Sequence, residues 1–233
     1  MKIRIRFAKR GHLRYIGHLD VMRYFQKAMR RAHVDIGYSQ GFSPHQIMSF
    51  ASPLGIGLTS EGEYLDIEVS NCGASAEMVR RLNEVMVEEI EIVSFRKLPD
   101  EGKNNAMATI AAADYLVCLK KENALSRDTD LAEWKRFLDQ EEILLFRKTK
   151  KREGTDNIRP MILQAEWQED QSFFLRLCAG SSQNLKPEAV MEAFFAFLGK
   201  EFSLSALQIH RLDLYGQKDG RYLSLEAFGE EIL

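Results

Sequence analysis

Residues 2–32, KIRIRFAKRGHLRYIGHLDVMRYFQKAMRRA, change their hydrophobic period once, and that change sets the fold class. Lys2-Ile3-Arg4-Ile5-Arg6-Phe7 alternates, with Ile3, Ile5 and Phe7 on one face, which predicts a strand. From His18 to Ala32 the spacing is helical. Met22, Phe25, Met29 and Ala32 make an apolar stripe, while Asp20, Arg23, Lys27, Arg30 and Arg31 gather on the polar side. Further on, Ile47 to Ala51 and Glu63 to Val69 read as strands. Ser75 suits the cap of a helix in which Met78, Val79, Leu82, Val85 and Met86 face inward, and Ile90-Glu91-Ile92 opens a strand running to Phe95. The order β-α-β-β-α-β is the ferredoxin-like arrangement.

Pro99 to Asn105, PDEGKNN, reads as a linker, and the order then repeats. Tyr115 to Leu119 predicts a strand, Leu131 to Leu138 a helix carrying Trp134 and Phe137, and Ile143 to Phe146 a strand. Met161 to Trp167 and Ser172 to Cys178 predict paired strands. Pro187 marks a helix start, with Val190, Ala193, Phe194, Phe197 and Leu198 on its buried face. Leu207 to Leu214 and Tyr222 to Leu225 are the last strands, joined through Lys218-Asp219-Gly220, whose Asp-Gly pair suits a hairpin. The expectation is an α+β protein of two tandem ferredoxin-like (βαββαβ) halves, residues 1–98 and 106–233.

Charge is segregated along the chain. Residues 1–50 hold ten Lys/Arg against Asp20 and Asp35, whereas the 233 residues together carry a net charge of −2. The first fifty residues are therefore about eight charges positive and the rest about ten negative, so an anionic partner is expected to meet the N-terminal segment. Residues 11–51 also contain four of the five histidines. The composition, 45% hydrophobic and 28% charged, is ordinary for a globular protein. No apolar run approaches the roughly 18 residues of a membrane span. The alternating N-terminus lacks the apolar block of an export signal, so a cytoplasmic protein is expected. Cys72, Cys118 and Cys178 are scattered, without the clustered spacing of an iron–sulfur or structural zinc site, and no cofactor is expected in this chain.

Three motifs could carry chemistry in the basic segment. The Arg/Lys face of helix 18–32 could follow a phosphate backbone, with Lys9, Arg10 and Arg14 just before it. His12 and His18 are six residues apart, which is not a metal spacing; His18 and His45 are candidate general acid–base groups. In Tyr38-Ser39-Gln40-Gly41-Phe42-Ser43-Pro44-His45-Gln46, Gly41 and Pro44 fix a turn, and Tyr38 or Phe42 could stack on a base. Ser39 and Ser43 lack a nucleophile-elbow context, and Gly55-Ile56-Gly57 with Gly62 is not a phosphate loop. In the second half, Arg147 to Arg152 holds five positive charges in six positions. Arg159 follows closely, and Asn184 and Lys186 lead into a helix N-terminus suited to anions.

These motifs resemble those of the radical-SAM-linked proteins of unknown function, encoded beside or fused to a radical SAM protein in many bacteria. The resemblance rests on Leu13-Arg14-Tyr15-Ile16-Gly17-His18-Leu19-Asp20, Ala28-Met29-Arg30-Arg31-Ala32, Tyr38 to His45 and Ser49-Phe50-Ala51-Ser52-Pro53-Leu54, with support from Ile158-Arg159-Pro160 and Asn184-Leu185-Lys186-Pro187. It departs from the family pattern at Ser43, Gln46, Ile47 and Asn157. It implies a radical SAM partner that would itself hold the S-adenosylmethionine and the iron–sulfur cluster. It also implies ligand contact by His12, Arg14, Tyr15, His18, Asp20, Arg30, Arg31, Tyr38, Gly41, Phe42, Pro44 and His45.

Three functions follow as expectations. The first is an accessory protein that binds RNA, in particular tRNA, for a radical SAM modifying enzyme: Arg14, Arg23, Lys27, Arg30 and Arg31 would hold phosphates, and Tyr15, Tyr38 or Phe42 would stack on a base. The second is a metal-independent endoribonuclease resembling the CRISPR repeat-processing enzymes, and the third a purely protein-docking partner of the radical SAM enzyme.

Overall fold

The alternation of residues 2–9 forms β1 (Lys2–Lys9), and the helical spacing that follows forms α1 (His18–Arg31). The next elements are β2 (Met48–Phe50), β3 (Thr59–Glu68), α2 (Ser75–Asn83) and β4 (Ile90–Lys97), so the expected β-α-β-β-α-β order is present. The computed structural model describes residues 1–100, 105–120, 125–148, 153–181 and 183–233, and it is a mixed α/β protein with a mostly antiparallel sheet. By contact it divides into unit 1, residues 1–112 with 211–233, and unit 2, residues 113–210. The split expected from sequence, 1–98 and 106–233, puts residues 211–233 in the second half; their contacts place them with the first.

In unit 1 the strand order is β4-β1-β3-β10, where β10 is Leu207–Lys218; β2 lies on β3, and β11 (Arg221–Ser224) on β10. Ile5 stands opposite both Leu65 and Phe95. One face of this sheet (Ile3, Ile5, Phe7, Leu65, Ile67, Ile92) packs against Val21, Phe25 and Met29 of α1 and Met78 and Leu82 of α2. Phe25 touches Phe7 at 4.7 Å and Phe50 at 5.7 Å between ring centroids. Burying side chains of this size is the main favourable term, worth roughly 1.5–3 kcal/mol each. Ser75 is the first residue of α2 rather than its cap: its hydroxyl donates to the Phe95 carbonyl at 2.5 Å and accepts from the Ile232 N–H at 2.9 Å. Val85 and Met86 lie beyond the helix yet still pack on the core.

The other face of the unit 1 sheet is polar and also covered. Arg4 makes a two-point ion pair with Asp66 (2.8 and 3.0 Å) and donates to the Leu225 carbonyl. Arg6 reaches Glu226 at 2.9 Å, and the Tyr64 hydroxyl donates to Asp213 at 2.6 Å. Burial beside Asp213 pushes the Tyr64 phenol far up, so it stays a donor. Gly62 is required here, since a Cβ would sit 2.6 Å from the Asp213 backbone. The expected linker is described only at Pro99, Asp100 and Asn105. Asn105 caps the short α3 (Ala106–Thr109) by accepting from the Met107 N–H at 2.9 Å.

Unit 2 contains α4 (Arg127–Leu138), β6 (Leu144–Lys148), β7 (Glu153–Asn157), β8 (Ile162–Trp167), β9 (Phe173–Cys178) and α5 (Pro187–Phe197). The strand β5 (Ile110–Leu119) enters it at Ala113, and β10 leaves it after His210. Its sheet order is β10-β5-β9-β8, while β6 and β7 pair as a separate hairpin. The core is aromatic: Trp134 stacks near Phe137 and meets Phe173 and Phe194 within about 5 Å. The Asp219-Gly220 turn joining β10 and β11 has both residues at positive φ (51° and 74°), as the sequence led us to expect.

Candidate nucleic-acid interface

Helix α1 starts after Gly17 and buries Val21, Phe25, Ala28 and Met29, spaced so that they share one face. The same spacing turns Leu19, Arg23, Lys27 and Arg30 outward. Arg23 lies 3.5 Å from Asp20, both well exposed, a pairing worth little in water. Lys27 has no ion pair among the described residues, and Arg30 donates only to the Gln26 carbonyl, at 3.3 Å. Arg31 is committed elsewhere: it donates to the Val85 carbonyl at 3.1 Å and lies over the Tyr24 ring. Arg23, Lys27 and Arg30 thus form a short exposed stripe, with Arg31, also exposed, held beside Tyr24.

The loop after α1 is held at its base. Gly37 donates to the Glu68 carbonyl, Ile47 to that of Gly37, and Tyr38 pairs with Gln46. Gln46 is buried; its amide donates to the Gln26 carbonyl of α1 at 3.3 Å and lies 3.5 Å from the Tyr38 hydroxyl. That contact ties the loop to the middle of the basic helix. At the tip Gly41 takes φ +115°, a conformation open to glycine, and Phe42 is completely exposed. This leaves a large aromatic ring wholly accessible on a supported turn. Pro44 and His45 are exposed as well. Ser39 and His45 lock together, with the hydroxyl 2.8 Å from Nδ1 and accepting from the His45 N–H at 3.1 Å, which engages Nδ1 rather than Nε2.

Ahead of α1, Gly11 turns the chain at φ +55°, where any Cβ would collide with the Glu89 carboxylate. The 3₁₀ turn Gly11–Tyr15 follows. It shows Tyr15, 65% exposed, with the Arg14 guanidinium 5.6 Å from its ring centroid. Arg14 also donates to the Gly11 carbonyl at 3.0 Å. His12 is exposed, its N–H bonded to Glu89. His18 is half-buried, edge-on to Phe50 at 5.0 Å. The two candidate acid–base histidines are therefore in different settings, His18 against the core and His45 on the exposed loop.

Sequence reasoning took Lys9 for one of the cations before the helix and missed Glu63 and Arg211, which lie with it beneath His18. Lys9, Glu63, Phe7, Phe50 and Leu54 line a notch beside it. Lys9 is 2% exposed and donates to the Ile16 carbonyl at 3.2 Å. Burial pushes its ammonium pKa down, against the pull of Glu63. Glu63 is gripped at two points by Arg211 (2.8 and 2.5 Å), which also reaches the Ser52 carbonyl. The alternation that puts Ile3, Ile5 and Phe7 inward continues to Lys9, and that of Leu65 and Ile67 runs back to Glu63, so a period-two reading extended by one position finds both.

In unit 2 Arg159 is absorbed by the fold, donating to the carbonyls of Leu138 (2.8 Å) and Ile162 (3.3 Å). Asn184 and Lys186 are exposed before α5, whose first residue is Pro187. Residues 149–152 of the basic tract and Ser182 lie outside the described residues. Among the described residues there is no group of three His, Cys, Asp or Glu placed to hold a metal, and no helix long and apolar enough to cross a membrane.

Residues 2–187 match the family described as "Uncharacterized protein conserved in bacteria (DUF2344)". The chain belongs to that family. No curated protein matches it. Among solved structures it is similar to a chain of "Crystal Structure of a Cbf5-Nop10-Gar1 Complex", with 12% identity and a TM-score of 0.48. The match covers 93% of this chain and 50% of the other, so the chain spans about half the length of that neighbour.

Proposed function

We propose that this protein binds RNA through α1 and the loop at residues 38–46, as an accessory module that presents the RNA, a tRNA being the favoured case, to a radical SAM enzyme. One observation supports this above others. The exposed stripe Arg23, Lys27 and Arg30 stands on a helix joined through Gln46 to a loop that offers Phe42 at its tip and Tyr38 at its base to solvent. Cations on a rigid helix hold phosphates in register, and an aromatic ring takes an unpaired base by stacking. Tyr15 beneath Arg14 offers a second stacking platform. The radical SAM partner rests on the sequence resemblance alone. We read each unit as a variant of the ferredoxin-like arrangement, with β6–β7 as an added hairpin in unit 2.

Filter binding to total tRNA over a salt series tests the reading. The expected result is affinity that falls steeply with salt and is weakened by Arg23→Gln with Lys27→Gln. No affinity at low salt, or affinity indifferent to salt, overturns it. Recovery of a nuclease-resistant complex with the radical SAM protein, without RNA binding, would instead support protein docking.

A further inference from the structure

The notch under His18 holds an uneven set of charges. Arg211 and Glu63 satisfy each other, which leaves the Lys9 ammonium in excess. Of its three N–H donors, one has a protein acceptor among the described residues, the Ile16 carbonyl at 3.2 Å. A buried ammonium with donors to spare is costly unless another acceptor approaches. The neighbouring helix adds partial positive charge: α1 begins at His18 on the wall of the notch, where the Gly17 carbonyl takes the Asp20 and Val21 N–H groups and those of His18 and Leu19 have no partner within the helix. The notch is open to the surface, and its interior is about 20 Å³, room for one water-sized group. The walls, Phe7, Phe50 and Leu54, would shield that group from solvent.

We propose that the notch is a binding site for one oxygen of a phosphate or carboxylate group, with Lys9 as its cation and His18 at its rim. The oxygen supplies the acceptor that Lys9 lacks and balances the excess charge, while the rest of the anion stays outside. The anion has two sources with the same chemistry: a free phosphate or carboxylate, or a phosphate of a strand lying along α1. The site stands on the geometry of β1, β3 and α1, so it does not need the RNA reading to hold.

The test uses the full chain with inorganic phosphate and, separately, acetate. Thermal melting should rise saturably with one of these anions at constant ionic strength. In Lys9→Met that shift should fall at least ten-fold in apparent affinity, whereas Arg23→Gln with Lys27→Gln should keep it. On the wild-type chain, acylation of Lys9 by an amine reagent, read by peptide mass, should slow when the anion is added. This second measurement decides the matter if Lys9→Met fails to fold. Equal shifts in wild type and Lys9→Met, or Lys9 acylation unaffected by either anion, overturn the site. If RNA displaces the anion, the oxygen belongs to the strand; if both bind together, a free anion occupies the notch, and either result supports the site. Loss of anion binding with RNA binding intact removes the notch alone, and the reverse removes the RNA reading alone.

Discussion

Arg4 and Arg23 come from the same basic segment, nineteen residues apart, and their surroundings share almost nothing. Arg4 is 1% exposed on β1 and locked to Asp66, while Arg23 is 68% exposed on α1 beside an equally hydrated Asp20. The same division runs through the segment. Arg6 and Arg10 on or beside β1 are paired with Glu226 and with Glu61 and Glu91, and Lys9 is buried on the Ile16 carbonyl; Arg23, Lys27 and Arg30 on α1 remain in water. A local excess of about eight positive charges thus overstates the surface that a partner meets. Arg4 and Arg6 hold the sheet to the segment returning at residues 211–233, Arg10 bridges neighbouring strands, Lys9 is buried with donors to spare, and the helix cations face water.

The sharpest break between the two classes is at Arg211. Replacing it by leucine strands Glu63 in the interior, and the expected loss is about 3–5 kcal/mol in denaturant unfolding. A loss under about 1 kcal/mol would mean that Glu63 finds water or protonates instead. On the other side of the comparison, Phe42→Ala should leave the melting temperature unchanged. It should cost about 1–3 kcal/mol in binding single-stranded RNA, the value of one stacked base, and far less with duplex. Arg23→Gln with Lys27→Gln should alter stability by no more than about 0.5 kcal/mol. Its signature is a salt dependence on single-stranded RNA shallower by about 1.4 in log–log slope, as two phosphates keep their counterions. The smallest effect concerns Lys9. Its pKa is lowered in the fold from the usual 10.5, so between the two values the unfolded chain binds more protons and stability rises with pH. That rise should vanish in Lys9→Met, as read from denaturant midpoints taken up to pH 10.

Much of unit 1 was legible because its elements are amphipathic. Ile3, Ile5 and Phe7 alternate, and Phe25 and Met29 repeat at helical spacing, so each period announces an element and its buried face. The paired ends were not legible, because Arg4–Asp66 and Arg211–Glu63 join positions with no local relation. For the same reason nothing near residues 211–233 signals that they return to unit 1. β7 escaped because Glu153-Gly154-Thr155-Asp156-Asn157 has no apolar alternation; it exists by pairing with β6. At the candidate interface, residue types were legible and availability was not. Arg31 and Arg159 look like Arg23 in sequence, yet each donates to backbone carbonyls that no local pattern announces.

The pairing of Arg4 with the Leu225 carbonyl and of Arg6 with Glu226 spans about 220 residues of chain. At roughly 5–20 residues per second of synthesis, β1 waits on the order of ten to forty seconds on the ribosome for these partners. During that interval Asp66 can already hold Arg4, while the Arg6 guanidinium stands open to whatever anion is near. Residues 113–210, whose boundaries close earlier, can complete their own core in the meantime. The apolar face of β1 can be covered once residue 97 is made, so it is the polar face of that strand that is sealed last.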